Sequence, residues 1–288
     1  MKVVLFCGGF GMRMREGAGS APKPMQLIGD RPLLWHVMRY YAHFGHKDFI
    51  LCLGYGAAAV KEYFLRYDET ISNDFTLTAG GRDIQMFSTD ISDWNITFID
   101  TGLRATIGER LMKVREQVQD EEIFLANYAD TLTASDLDDS VASFRSSGAV
   151  VSMLAVPPVS THHVVEMGDN GLVTRVREVR DLMQYENGGF FVMKPDIFDY
   201  LHEGEDMVPH AFDRLIPQGK LQAQRYDGFW RAADTFKDRA ELEEMFARGD
   251  CPWMVWDDNR NGGRKLIVPS QHSRASSLVA DAPTRSDR

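Results

Sequence analysis

The unbroken apolar run Val3-Val4-Leu5-Phe6-Cys7 stops abruptly at Gly8-Gly9-Phe10-Gly11. A run this short, apolar on both alternating faces, reads as a strand buried on both sides. A strand covered on both faces needs helices above and below it, which points to an α/β protein. The glycines that follow let backbone N–H groups come close to a ligand, and such a turn is a natural cradle for phosphate.

The rest of the chain keeps the pattern. Pro32 opens a helix with Leu33, Leu34, Val37, Met38 and Tyr41 at helical spacing, ending near Gly45. Short apolar runs at Phe49–Leu53, Asn95–Ile99 and Ile123–Asn127 alternate with helical stretches at Ala57–Tyr67 and Gly108–Gln117. Strands alternating with helices predict a mixed, mostly parallel sheet flanked by helices. Further on, His163–Met167 and Leu172–Arg177 flank Gly168-Asp169-Asn170-Gly171 and read as a hairpin. Gly189–Met193 and Leu221–Tyr226 read as strands, and Thr235 caps a charged helix that runs to Arg248 and stops at Gly249. One domain over 1–257 is expected, with 235–257 as its carboxyl-terminal helical segment and 264–288 as a disordered tail.

Charge narrows the partners. The 288 residues carry 32 Lys+Arg against 42 Asp+Glu, a net charge of −10. Nucleic acid and anionic membrane are therefore excluded as main partners. Residues 1–47 nevertheless hold seven basic residues and two acids, so a net +5 sits on the segment with the glycine turn. That imbalance suits a pocket for a small anion. Cys7, Cys52 and Cys251 form no metal or redox spacing and read as reduced thiols. Without a signal-peptide pattern or a run of about 20 apolar residues, a cytoplasmic protein is expected. Asn95-Ile96-Thr97 is a glycosylation sequon without a secretory route to use it.

Three nucleotide or nucleophile signatures fail. Gly9-Phe10-Gly11-Met12-Arg13-Met14 lacks the last glycine of GxGxxG, and no Gly-Lys-Ser/Thr occurs nearby. Ser20-Ala21-Pro22-Lys23 matches SxxK, but Pro22 and Pro24 are expected to forbid the helical turn it needs. What remains is Gly8-Gly9-Phe10-Gly11-Met12-Arg13 followed by Pro22-Lys23-Pro24-Met25. Proline on either side fixes the backbone and aims the lysine as a point charge.

This pair of motifs resembles GGxGTR…PKPM of the sugar-1-phosphate nucleotidylyltransferases. The likeness spans about residues 1–257 and is nearest to the glucose-1-phosphate cytidylyltransferases. It runs through Leu34-Trp35-His36-Val37-Met38, Asp100-Thr101-Gly102, Asn187-Gly188-Gly189-Phe190-Phe191, Gly228-Phe229-Trp230 and Ala233-Asp234-Thr235. It implies the nucleotide-diphospho-sugar transferase fold, Rossmann-like, and transfer of a nucleotidyl group from an NTP, CTP favoured, to a sugar 1-phosphate. It also implies magnesium held by Asp130 and Asp234, with Asp130, Arg13 and Lys23 as the catalytic set. Gly8, Gly9, Gly11, Arg13, Lys23, Arg110 and Ala129 would bind the nucleotide. Glu178, Arg180, Asn187 and Gly188 would bind the sugar phosphate. The expected partners are these substrates and further copies of the chain, joined through the carboxyl-terminal helix. His36 reads as structural, Trp35, Trp94 and Trp253 as packing residues, and His162-His163 as without a role.

The sequence departs from that pattern at functional positions. Met12 replaces the Thr of GGxGTR, and Ala105 stands where a nucleotide-contacting Thr is usual. Ala129 replaces a glycine, which would put a methyl group beside the nucleotide or sugar. Glu178-Val179-Arg180 replaces Glu-Lys-Pro, removing a lysine for the sugar phosphate. Arg180 is able to substitute if the loop shifts by one residue. These changes also motivate a second reading, a catalytically silent nucleotide-binding regulator or scaffold.

Overall fold

The computed structural model describes residues 1–8, 21–159, 163–182 and 184–257, with the side chains of Arg180 and Asp181 excepted. Gly9, Gly11 and Arg13 of the expected site, His162, and the expected tail 264–288 lie outside the described residues.

Lys2–Phe6 is the centre of an eight-stranded mixed sheet. It lies parallel between Asp48–Leu53 and Phe124–Asn127, with Asn95–Asp100 parallel beyond Asp48–Leu53. On the other side the direction reverses. Phe191–Met193 runs antiparallel to Phe124–Asn127 and to Val151–Val156, which in turn pairs with Glu186–Asn187 and, in parallel, with Leu221–Arg225. Alternate residues of the first strand face opposite cores, as a doubly covered strand requires. Val3, Leu5 and Cys7 pack with the helix Leu33–His43, while Val4 and Phe6 pack with Leu111, Val118 and Phe212.

Most expected elements occur. The hairpin His163–Met167/Val173–Glu178 forms with a bulge at Glu166/Met167, and Thr235 caps the helix Phe236–Ala247 through a capping box with Asp238. The expected helix 108–117 is broken: Ile107–Lys113 and Arg115–Val118 are separated at Val114, which leaves helical geometry with its side chain fully buried. A short helical turn does form at Lys23–Met25 despite its prolines, because it is a single 3-10 turn and Pro24 sits in its first turn, where no N–H is needed. The helix Leu137–Ser147, the strand Val151–Val156 and the hairpin Phe75–Thr78/Asp83–Met86 were not among the expected elements. No helix among the described residues is long and apolar enough to cross a membrane.

Candidate active site

Ligands of open α/β sheets bind beyond the carboxyl ends of the strands. A cavity of about 180 Å³ lies there, lined by Phe6, Cys7 and Gly8 after the first strand, by Tyr128 and Asp130 after Phe124–Asn127, and by Pro22, Lys23, Pro24, Tyr55 and Ile107.

Gly8 is held to glycine by what lies behind it. A Cβ at this position would fall 2.1 Å from Nη1 of Arg110. That guanidinium has little freedom to retreat: Nη1 donates to the Leu53 carbonyl at 3.1 Å and to Thr101 Oγ1 at 2.6 Å, and Thr101 itself donates to the same carbonyl. Arg110 is 1% exposed. The structure therefore places it behind Gly8, outside the set of residues that line the cavity. Cys7 and Cys52 share this region, and burial pushes both thiols up, Cys52 to about 12.

Lys23, Asp130 and Asp234 meet in three dimensions. The strand Trp230–Ala232 pairs antiparallel with Thr131–Thr133, and the Ala233 N–H donates to the Asp130 carbonyl at 3.0 Å. This pairing brings Asp234 alongside Asp130 although 103 positions separate them in the chain. Lys23 Nζ donates to Asp130 Oδ2 at 2.6 Å and to Asp234 Oδ1. Burial alone would lower the lysine, but the two carboxylates outweigh it and raise it. Burial raises the Asp130 carboxyl, with the Lys23 ammonium pulling the other way. Ala129 adopts φ 62°, with its N–H donating to Asn127 Oδ1 at 2.7 Å. Its methyl is buried among the core residues.

A second cavity, of about 540 Å³, is lined by Val156–Val159, His163, Glu178, Asp227, Gly228, Trp230 and Arg231. Asn187 and Gly188 lie between the two. Asn187 Nδ2 donates to the Tyr128 hydroxyl at 3.0 Å, and the Gly188 carbonyl accepts from Trp230 Nε1 at 2.9 Å. Tyr128 lines the first cavity and Trp230 the second, so a hydrogen-bonded path joins them through Asn187-Gly188. Gly188 permits this close approach, since a Cβ would sit 3.1 Å from the Leu154 carbonyl. Val179 and Arg180 lie in a 3-10 turn, Val179–Leu182, directly after Glu178; the Arg180 side chain is outside the described residues.

The first cavity thus offers Lys23 and Asp130 on its wall, with Asp234 converging on the same lysine, a set suited to phosphates and a hard cation. The family profile described as nucleotidyl transferase matches residues 2–258. The chain belongs to the nucleotidyl transferase family. It is 36% identical over 258 residues to the "Probable glucose-1-phosphate cytidylyltransferase" of Bacillus subtilis (strain 168), covering 89% of this chain and all of that one. It is 32% identical over 265 residues to the glucose-1-phosphate cytidylyltransferase of Salmonella typhimurium, again covering 89% and 100%. Among solved structures, UTP-bound UGPase from Acinetobacter baumannii superposes with a TM-score of 0.64 at 16% identity, covering 90% of this chain and 97% of that one. UDP-glucose pyrophosphorylase complexed with UDP-glucose gives 0.63 at 15% identity, with 86% and 98% covered. Those two likenesses concern the fold, which is that of the nucleotide-diphospho-sugar transferases.

Of the expected residues, this nucleotidyltransferase brings Gly8, Lys23 and Asp130 to one cavity with Asp234 against Lys23, puts Glu178 on the other and sets Asn187 and Gly188 between them. Tyr128, Trp230 and Arg231 were missed. Tyr128 is two residues from Asp130 and Trp230 closes the Gly228-Phe229-Trp230 block, so proximity to named motifs was the available signal. His163, expected to have no role, lines the second cavity. His36 is buried, its Nε2 3.0 Å from the Ile28 carbonyl, in keeping with a structural histidine.

Proposed function

We propose that the chain transfers a nucleotidyl group from an NTP, with CTP favoured, to a sugar 1-phosphate or related phosphorylated acceptor, releasing pyrophosphate. The meeting of Lys23, Asp130 and Asp234 at the cavity beyond the first strand carries this reading. The cytidylyltransferase relatives support the choice of nucleotide and of acceptor.

Both reactants are anions. An oxygen of the acceptor phosphate attacks the α-phosphorus in line as pyrophosphate leaves, so catalysis is mainly alignment and charge neutralisation. No protein nucleophile is needed. Lys23 supplies a fixed positive charge on the cavity wall, aimed by its flanking prolines. Asp130 and Asp234 already converge on one cation, the Lys23 ammonium, and two carboxylate oxygens with room for water and phosphate oxygens suit magnesium. Magnesium held by these two residues would neutralise phosphate charge and orient the reacting groups. Arg110, buried behind Gly8 without a carboxylate partner among the described residues, adds positive potential there. Asn187 and Gly188 hold the acceptor side in register with Tyr128.

A homo-oligomer in the cytoplasm completes the reading. The hairpin Phe75–Thr78/Asp83–Met86 supports the oligomer, because the pairs Phe75/Met86 and Leu77/Ile84 place four apolar side chains on one face and Leu77 and Ile84 are exposed. Pyrophosphate release measured across four NTPs, with magnesium and a panel of phosphorylated acceptors, tests the reaction. Release with CTP and at least one sugar 1-phosphate is expected. No release from any combination contradicts the reading and favours the silent regulator.

A further inference from the structure

An acceptor phosphate needs a cation, and Val179 stands where the cytidylyltransferases carry a lysine. Lys23 is held between two carboxylates in the other cavity. The titratable groups described on the acceptor-side cavity are His163, Glu178, Asp227 and Arg231. Arg231 differs from the rest in two ways. It presents a guanidinium, which meets phosphate in a planar, two-pronged geometry. It also carries no ion pair among the described residues: Nη1 donates to the Trp230 carbonyl at 2.9 Å, and the guanidinium carbon lies 5.8 Å from the Phe229 ring. Neighbouring arginines are committed elsewhere, Arg225 to Asp227 at 3.6 Å and Arg177 to Glu166. Asp227 is thereby partly neutralised, while the charge of Arg231 stays available to a ligand.

The place in the chain fits. Arg231 sits in the strand Trp230–Ala232, three residues before Asp234, or about 10 Å of extended backbone. An arginine side chain spans much of that distance. Resting on the transfer reaction proposed above, we propose that Arg231 binds the phosphate of the acceptor, in place of the lysine missing at 179. The acceptor is then a phosphate monoester whose anion is gripped from the strand that leads to Asp234. Val179 is tolerated because the charge has moved to that strand.

Steady-state kinetics on the full chain separates this from a general loss of fold or function. Arg231→Met is expected to raise the KM for the acceptor tenfold or more while the KM for the NTP stays within twofold, and Arg231→Lys is expected to recover part of the loss. Val179→Lys added to Arg231→Met is expected to restore acceptor binding. Should the Met variant fail to fold, Arg231→Gln keeps a polar, hydrogen-bonding side chain without the charge and is read by the same criterion. An acceptor KM within twofold of wild type overturns the proposal, as does an Arg180→Met variant with a larger rise than Arg231→Met. Failure of the transfer reaction is distinguishable, since the wild-type chain then releases no pyrophosphate with any acceptor, and that result overturns both.

Discussion

The cavity at Gly8, Lys23 and Asp130 stands on the ends of buried parallel strands, whereas the cavity at Glu178, Asp227 and Arg231 stands on short strands and an exposed hairpin. In the first, each group is pinned from behind: Gly8 by Arg110, Lys23 by a proline-bounded turn, Asp130 by the strand pairing that also delivers Asp234. In the second, the strand Val173–Glu178 pairs only with its hairpin partner among the described residues, and Val165, Met167 and Val176 are exposed. Rigid strand ends hold the groups that the reaction needs at fixed distances. A hairpin at the edge is free to change residues without disturbing either core, and Val179 and Arg180 lie at its end. On this account reaction chemistry resides in the first cavity and acceptor choice in the second.

The strongest challenge to that division is Asp130→Asn, which keeps shape and removes charge. Turnover is expected to fall by about 10³-fold or more with stability little changed. Near-normal turnover would remove the first cavity from the chemistry. Gly8→Ala comes next. The added methyl cannot be accommodated while Arg110 is bound to Leu53 and Thr101, and a loss of about 3 kcal/mol is expected in denaturant unfolding. Pairing it with Arg110→Ala relieves the clash, so the double variant should lose less than the sum of the two single losses. Simple additivity would mean that Gly8 and Arg110 do not meet.

Acid sharpens the same contrast through His36, which lies beneath the chain that follows Lys23. Burial pushes its imidazole down to about 4, aided by Arg31 and opposed by the Ile28 carbonyl. An unfolded histidine titrates near 6.5, so between these values the unfolded chain binds more protons. The contribution is complete above about pH 6.5 and is lost as pH falls toward 4. From pH 7 to 4.5 the wild-type chain should lose about 2.5 kcal/mol more than His36→Gln. Equal losses would show that His36 titrates freely. The smallest effect is expected at the link between the cavities. Tyr128→Phe removes the acceptor of the Asn187 hydrogen bond, worth about 1 kcal/mol, and should raise the acceptor KM about fivefold with less effect on the NTP. A larger effect on the NTP would place Tyr128 wholly on the nucleotide side.

The same contrast governs what was legible in the residues alone. The first strand, the proline-flanked Lys23 and the strand before Asp130 are local patterns, and each lies where its own stretch of sequence suggested. Arg110 was legible as a residue of interest, but its place behind Gly8 depends on the packing of Ile107–Lys113 against the first strand, which no local pattern records. The Ala129 methyl points into the core because the chain turns at positive φ, and a substituted glycine does not announce which way its new side chain faces. Arg231 was hidden for a similar reason. It follows a quoted block, but only the pairing of Trp230–Ala232 with Thr131–Thr133 and the approach of Glu178 give it a cavity.

Transfer of a nucleotidyl group to a phosphorylated acceptor is observed directly by ³¹P NMR of the chain with CTP, magnesium and glucose 1-phosphate. The account predicts a new pair of coupled diphosphate resonances from the nucleotide sugar, growing in step with pyrophosphate. Intact CTP with this and every other phosphorylated acceptor, or inorganic phosphate released without a new diphosphate, would contradict it.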